Sequence, residues 1–595
     1  MNNDIVRSGI RFSLGLLFLG AAFGGYLFLP QSLDGIDVHR AVSIRLFRDQ
    51  DVGWMIFSLL LLWGASRALV GCDGENWASR VESLLSSSKT PWAIAAIVLL
   101  LSALGGHYLH HDFPFSLDEF FVQYQGRIFL EGKLVAAVPP EWTSYRPALQ
   151  PYFSFQFENS NHWLSHYRPG HALVWALFEL FGLGSLTNAV VTAAAVLLIA
   201  GIAKELWPDR PALWGLSALL LGLSPHVVFP AMTIFVWPGY LFFNLLWLRC
   251  VLSNRLVINV VALAVGFFAV GLHQIHAHLL FAAPFMIWII LQRRLVLAAS
   301  LVVVYSLALL FWIHWHEFVA WYSLGIPVEK LGFFLNSEYI SNYFSSRMQF
   351  GPVERNIRYL LLVTNQFRMV AWLGMPLVFL LVCCLFVRER WSLFWWCCLG
   401  SVLFTVIAHA ILMPNQMHGW GYRYIQGALG SLVLLAVFAY AAIIDRCGNN
   451  QSMENVFIVY MAALFLAGNL LAFPLRAYQM ESYITPKQRA WHYLSGLDYE
   501  VVMLDTFGVY FGVDLLRNDP FLRNRPIIID FNQLDTEQRA DLCERYHSVI
   551  VGPNEIKQFN IALYTDVLGN NYEQLSTSIV GEHSRCCTVL NGAND

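Results

Sequence analysis

Apolar runs long enough to cross a bilayer recur along most of the chain. They lie near 10–29, 52–71, 91–108, 185–203, 211–229, 233–250, 256–272, 273–291, 295–315, 368–387, 392–413, 424–444 and 455–474. A helix needs about 20 apolar residues to span the hydrocarbon core, because each residue advances it by only ~1.5 Å. The pattern predicts a polytopic α-helical membrane protein with about 13 spans. Only 13% of the residues are charged, where a soluble chain carries about a quarter. The net charge of −3 gives no footprint for a nucleic-acid partner. The first run, Ile10 to Leu29, is followed by Pro30-Gln31-Ser32 rather than a small-residue cleavage site, so it reads as a retained span.

Lys and Arg placement orients the spans. Arg7 and Arg11 precede the first. Arg67, Arg80 and Lys89 mark the second connection, and Lys204, Arg210, Arg249, Arg255, Arg293, Arg294, Arg388, Arg390 and Arg446 fall on alternate loops. The opposite turns, around 230 and 272, carry neither. This bias places the N-terminus in the cytoplasm and the tail outside. Residues 109–184, 316–367 and 414–423 then face outward with the tail, 475–595. The tail holds short apolar runs at Glu500–Asp505, Pro526–Asp530 and Ser548–Val551, with helix-like stretches 487–497, 509–517 and 535–546. That alternation predicts a small extracytoplasmic α/β domain with a parallel sheet. Cys543, Cys586 and Cys587 could supply one disulfide there. No internal repeat or intramembrane ladder of acids points to a transporter.

The outward loops hold the unusual polar residues. Ser116-Leu117-Asp118-Glu119-Phe120-Phe121-Val122-Gln123-Tyr124-Gln125-Gly126-Arg127 reads as an amphipathic surface helix, opened by a Ser116-x-x-Glu119 capping box. Adjacent acids point about 100° apart on a helix, so Asp118 and Glu119 are not a facing pair. Tyr167-Arg168-Pro169-Gly170-His171 opens another helix. In the turn Asn415-Gln416-Met417-His418-Gly419-Trp420-Gly421-Tyr422-Arg423-Tyr424, Arg423 is a basic residue on the side that basic residues otherwise avoid. It reads equally as a phosphate ligand or as an interfacial anchor among aromatics. Histidines crowd the outer span ends, at 107, 110, 111, 226, 273, 276, 278, 314 and 316.

An outward Asp-Glu opening a helix, then a Tyr-x-Pro-Gly helix, then a span with a basic cytoplasmic tip resembles the GT-C glycosyltransferases, above all the bacterial protein O-mannosyltransferases and lipid A aminoarabinose transferases. The likeness covers roughly 91–445, so 1–90 adds two spans and 91–474 forms a GT-C-like transmembrane domain. It implies an inverting glycosyltransferase at the outer face of a bacterial cytoplasmic membrane. The donor would be a sugar on a polyprenyl phosphate, and the acceptor a hydroxyl of a glycan, lipid or protein. By carry-over Asp118 is the general base, Glu119 positions it, and Arg423 meets the leaving phosphate. Tyr124, Tyr167, Arg168, His171, His418, Tyr422 and Tyr424 would line the substrate site. A divalent metal would be the only cofactor, and the loop 224–233 lacks the acid that several relatives place there. The competing readings are a lipid or glycolipid flippase and a non-catalytic scaffold presenting the tail.

Overall fold

The computed structural model describes residues 4–29, 42–68, 74–150, 152–157, 160–327, 352–448, 450–563 and 588–590, with 352–356 described as backbone only. Each apolar run falls on a helix, yet the spans are not thirteen straight rods. Among the described residues, seven helices are long and apolar enough to cross a membrane: Asp4–Tyr26, Thr90–Tyr108, Gly184–Leu206, Leu295–Ile313, Leu393–Leu412, Arg423–Cys447 and Gln451–Ser495. Two bent pairs raise the number to nine. The run at 211–229 bends by 57° between Pro211–Gly222 and Pro225–Ala231, and the run at 368–387 bends by 114° between Ile357–Leu373 and Met375–Arg390. Proline explains both breaks, since Pro225 and Pro376 sit in the first turn of the helix that resumes, where no backbone N–H is missed. Gly374 adds a positive φ of 88° at the sharper break, which a Cβ would oppose. Val52–Ala68, Trp237–Leu252, Leu256–Val270 and Ile275–Leu291 are shorter.

The loops gather at one end of the bundle. There Leu117–Leu130 is buried on nearly all sides rather than lying half-exposed at a surface. One side packs on Ala172, Trp175, Ala176 and Ile234 through Val122. The other joins a core shared with the tail, in which Phe120, Tyr124, Trp142, Leu149 and Trp163 meet Val501, Met503, Ile527, Ile529 and Ile550. Strands β1 (Ala136–Ala137), β2 (Ser154–Gln156) and β3 (His162–Ser165) form an antiparallel sheet in the order β1-β3-β2 beside it.

The tail strands β4 (Val501–Leu504), β5 (Ile527–Asp530), β6 (Ser548–Val551) and β7 (Thr588–Leu590) pair in parallel in the order β5-β4-β6-β7. Alternate residues serve opposite faces. Val501 and Met503 enter the core shared with the loop, while Val502 and Leu504 pack on Ala490 and Leu494. A parallel sheet buried on both faces reads as continuous apolar runs, which is why the strands are short and unbroken in sequence. The expected boundary at 475 falls inside the unbroken helix Gln451–Ser495. The stretch 509–517 is no α-helix but holds a 3₁₀ turn, Gly512–Leu515. Cys543 is disulfide-bonded, while Cys586 and Cys587 lie outside the described residues, as does 328–351 of the expected loop 316–367.

The first two helices are tied to the rest by a fully buried charge cluster. Asp51 accepts from Arg476 Nη1 at 2.6 Å, Trp372 Nε1 at 2.8 Å and Arg368 Nε at 3.1 Å. Arg368 Nη2 donates onward to the Gly419 carbonyl at 3.0 Å, in the turn that carries Arg423. Removing the one carboxylate leaves two buried guanidinium groups uncompensated, which costs about 3–5 kcal/mol. Asp51→Ala is therefore expected to lower the thermal unfolding midpoint of the detergent-solubilised chain far more than Arg48→Ala. Equal losses would show that the cluster holds nothing together.

Candidate active site

Asp118 stands in the first turn of Leu117–Leu130, and Arg423 at the head of the helix Arg423–Cys447. The fold brings them together across 305 residues, with Arg423 Nη1 donating to Asp118 Oδ2 at 2.9 Å. Tyr167 donates its hydroxyl to the other carboxylate oxygen, Oδ1. Asp118 keeps 20% of its side chain exposed and Arg423 7%, so the pair is largely dry but reachable. Burial alone would raise the Asp118 carboxyl. Arg423, the Tyr167 hydroxyl and His273 overcome it and hold the carboxyl below its ordinary range. A charged acceptor poised beside a cation is the outcome.

Arg423 is caged. Its guanidinium lies 5.1 Å from the Phe235 ring centroid, 5.7 Å from Trp237 and 5.4 Å from Tyr424. Such rings favour a cation where water is thin, and they leave the arginine's hydrogen-bonding edge for an oxyanion. Its Nε has no hydrogen-bond partner among the described residues. The turn holds its own shape: Gln416 accepts from Arg423 N at 2.9 Å and donates to the Gly421 carbonyl at 2.9 Å. Gly421 has φ +67°, and a Cβ there would meet Trp372 at 3.0 Å.

Glu119 points elsewhere, as two adjacent helical residues must. Its side chain is fully buried, Oε2 accepts from Phe115 N at 2.8 Å, and Oε1 lies 3.7 Å from His110 Nε2. The expected capping box is absent, since Ser116 makes no side-chain cap and Glu119 reaches the residue before it. Asp514, from the tail, caps the helix instead by accepting from Leu117 N at 3.1 Å. Burial pushes the Glu119 carboxyl up to about 8, against the Phe115 N–H and Arg517, which pull it down. Two neighbouring acids are thus driven apart, one charged and one neutral at pH 7.

The other expected residues divide. Tyr167 is at Asp118, and Tyr424 is at Arg423. Tyr124 is not in the site: it is buried in the core shared with the tail, edge-on to Trp163. Arg168 reaches the Ile313 carbonyl and His316 rather than Asp118. Tyr422 is buried, with its carbonyl bonded to His226 Nε2 at 3.1 Å. His171 is buried close to Gly239. His418 Nδ1 lies 2.8 Å from the Tyr483 hydroxyl and Nε2 lies 3.4 Å from Asp514, so it braces the turn. His273 was visible only as one histidine among nine, yet its ring stacks on Tyr167 at 3.9 Å. Phe235, Trp237, Gln416 and Asp514 carried no signal in sequence that set them apart from other core or loop residues. Among the described residues no three His, Cys, Asp or Glu side chains gather to hold a metal ion; the Asp118–Glu119 pair, splayed as it is, does not fit one.

The sequence matches no protein-family model and no curated protein. Among solved structures, the chain is similar to ArnT from Cupriavidus metallidurans in the apo state, with 14% identity over 77% of this chain and 92% of that one and a TM-score of 0.46. It is also similar to ArnT from the same organism bound to undecaprenyl phosphate, with 14% identity over 80% and 88% and a TM-score of 0.43.

The raised Glu119 carboxyl has a signed consequence. Between about pH 4.5 and 8 the unfolded chain releases a proton that the folded chain keeps, so this group's stabilisation, complete below pH 4.5, is lost as pH rises through 8. Glu119→Gln is expected to remove that component, flattening the fall in unfolding midpoint relative to wild type from pH 5 to 9. Parallel curves for the two proteins would contradict a neutral Glu119.

Proposed function

We propose that this chain is an inverting glycosyltransferase that moves a sugar from a polyprenyl-phosphate carrier to an acceptor hydroxyl. The reaction would take place at the extracytoplasmic face of a bacterial cytoplasmic membrane. The observation that carries this reading is the Asp118–Arg423 pair, a charged carboxylate and a caged guanidinium at the loop-bearing end of an apolar bundle.

The chemistry follows from those two groups. The acceptor oxygen attacks the anomeric carbon as its proton passes to Asp118, a general-base step worth about 10²–10⁴ in rate. The bond from that carbon to the phosphate oxygen breaks, and the electron pair leaves on the phosphate. Arg423 meets that developing charge through Nε and the edge not engaged by Asp118. A phosphate leaves as a stable anion, so no acid partner is needed, unlike in glycoside hydrolysis. Glu119 cannot serve as a second carboxylate at the same carbon because it is buried toward His110 and Phe115. One displacement inverts the centre. Tyr167 fixes the carboxylate's rotation, leaving the Arg423 side to the phosphate. Glu119 acts through the backbone, by fixing Phe115 just ahead of the helix.

In proteoliposomes supplied with a polyprenyl-phosphate sugar and a hydroxyl acceptor, the wild type is expected to form a product of inverted anomeric configuration. Asp118→Asn should lower transfer about 10²–10⁴-fold per folded enzyme. Full activity in Asp118→Asn would remove the base. Movement of the lipid across the bilayer without sugar transfer would favour the flippase instead.

A further inference from the structure

A cavity of about 270 Å³ lies away from the Asp118–Arg423 pair. It opens where the helix Val42–Leu46 and the turn Phe47–Asp51 meet the far end of Gln451–Ser495 and the tail. Its depth relative to a bilayer can be read from the long helix. Leu470 and Leu471 are exposed apolar residues, and Tyr478 is 70% exposed. An outward tyrosine above outward leucines marks the headgroup zone. Ser482, on the cavity wall, comes four residues after Tyr478, about 6 Å farther along the axis. The cavity therefore sits at headgroup depth on the loop-bearing end.

Its chemistry is amphiphilic. Most of the wall is apolar or aromatic, from Val42, Leu46, Tyr483, Tyr510 and Ile561. The charged groups on it are Arg45, Asp49 and Lys487. Asp49 is already paired with Arg48 at 2.6 Å, and Lys487 Nζ is bound to Asp514 at 2.6 Å. Arg45 is half-buried over the Tyr510 ring at 5.5 Å, with no carboxylate partner among the described residues. A half-buried arginine without a counter-ion among the described residues, held on an aromatic face in a largely apolar recess, is a ready phosphate ligand.

We propose that this cavity is a second lipid site that takes the phosphate of an amphiphile's headgroup on Arg45 and its glycerol or acyl end against Val42, Leu46 and Ile561. The helix Val42–Leu46 and the turn Phe47–Asp51 thereby gain a ligand-binding task. The site is linked to the candidate active site by two chains of contacts. Tyr483 on its wall is bonded to His418 in the Arg423 turn, and Lys487 is bonded to Asp514, which caps the Asp118 helix. The proposal does not rest on the glycosyl-transfer reading, because binding and transfer are measured separately and either can fail alone.

The test uses the full chain in nanodiscs of phosphatidylcholine, with or without a minority of phosphatidylglycerol, read by native mass spectrometry. A parallel arm titrates inorganic phosphate against the thermal midpoint in detergent. Wild type is expected to retain phosphatidylglycerol, Arg45→Gln to retain it about tenfold less well, and Arg80→Gln, on a separate surface helix, to match wild type. Ala562→Trp, which fills the cavity from the tail side and spares Arg45, is expected to lose the lipid too, and covers the case in which Arg45→Gln does not fold. Protection by inorganic phosphate, lost in Arg45→Gln, with no retained lipid would keep the anion site but overturn its lipid source. Retention equal to wild type in both Arg45→Gln and Ala562→Trp would overturn the site itself.

Discussion

Asp514 joins three distant stretches of chain. It accepts from Leu117 N, the first free amide of the helix that carries Asp118, and from Lys487 Nζ of the long helix, and it lies 3.4 Å from His418 Nε2 of the turn that carries Arg423. A carboxylate this deeply buried is costly unless every lone pair is met by a donor. Burial would raise it, yet Lys487 and His418 hold it well below the usual carboxylate range, so it stays charged. A charged cap at a helix N-terminus also meets the positive end of the helix dipole. The distance between Asp118 and Arg423 therefore depends on a residue of neither element. It is set when the tail docks, which makes the tail a structural part of the site.

That dependence explains the opposite states of two adjacent acids. Asp118 looks toward Arg423 and Tyr167, where charge is compensated, and stays ionised. Glu119, turned about 100° around the same helix, faces His110 and the Phe115 N–H in a fully buried setting where desolvation prevails, and keeps its proton near neutrality. Had the helix lain at a water surface, both would ionise alike. The tail sheet and the helix Gly170–Glu179 enclose the segment, and enclosure separates the two carboxyls.

How much of this was legible before the fold is plain from particular residues. Long apolar runs marked each helix of the bundle because bilayer-length segments carry their signal within themselves. Asp118 and Arg423 stood out because each occupies an unusual place in its loop. Tyr124 was misplaced because Phe120, Phe121, Tyr124 and Ile128 match an amphipathic spacing, while the real helix is buried on both flanks; periodicity cannot report a second covering layer. The Ser116-x-x-Glu119 pattern fitted a capping box, but a carboxylate 395 positions after Glu119 took the cap. The runs 211–229 and 368–387 read as single spans, because a continuous apolar run does not report a bend inside it. Asp514, Phe235 and Trp237 are ordinary in their local sequence, and only tertiary contact gives them a task.

Segments far apart in sequence brace opposite halves of the site. From the N-terminal side, Asp51 fixes Arg368, and Arg368 fixes the Gly419 carbonyl, which sets one end of the Arg423 turn. From the tail, Asp514 fixes the Asp118 helix and, through His418, the same turn. The Arg423 turn is thus held at two points by elements far apart in sequence, with Gln416 as its internal brace. A turn that holds Met417, a residue with a Cβ, at φ 54° is strained there and needs such bracing. The braces leave Arg423 fixed in a ring of aromatics before any anion arrives, so a phosphate binding there would meet a guanidinium that is already oriented and largely desolvated.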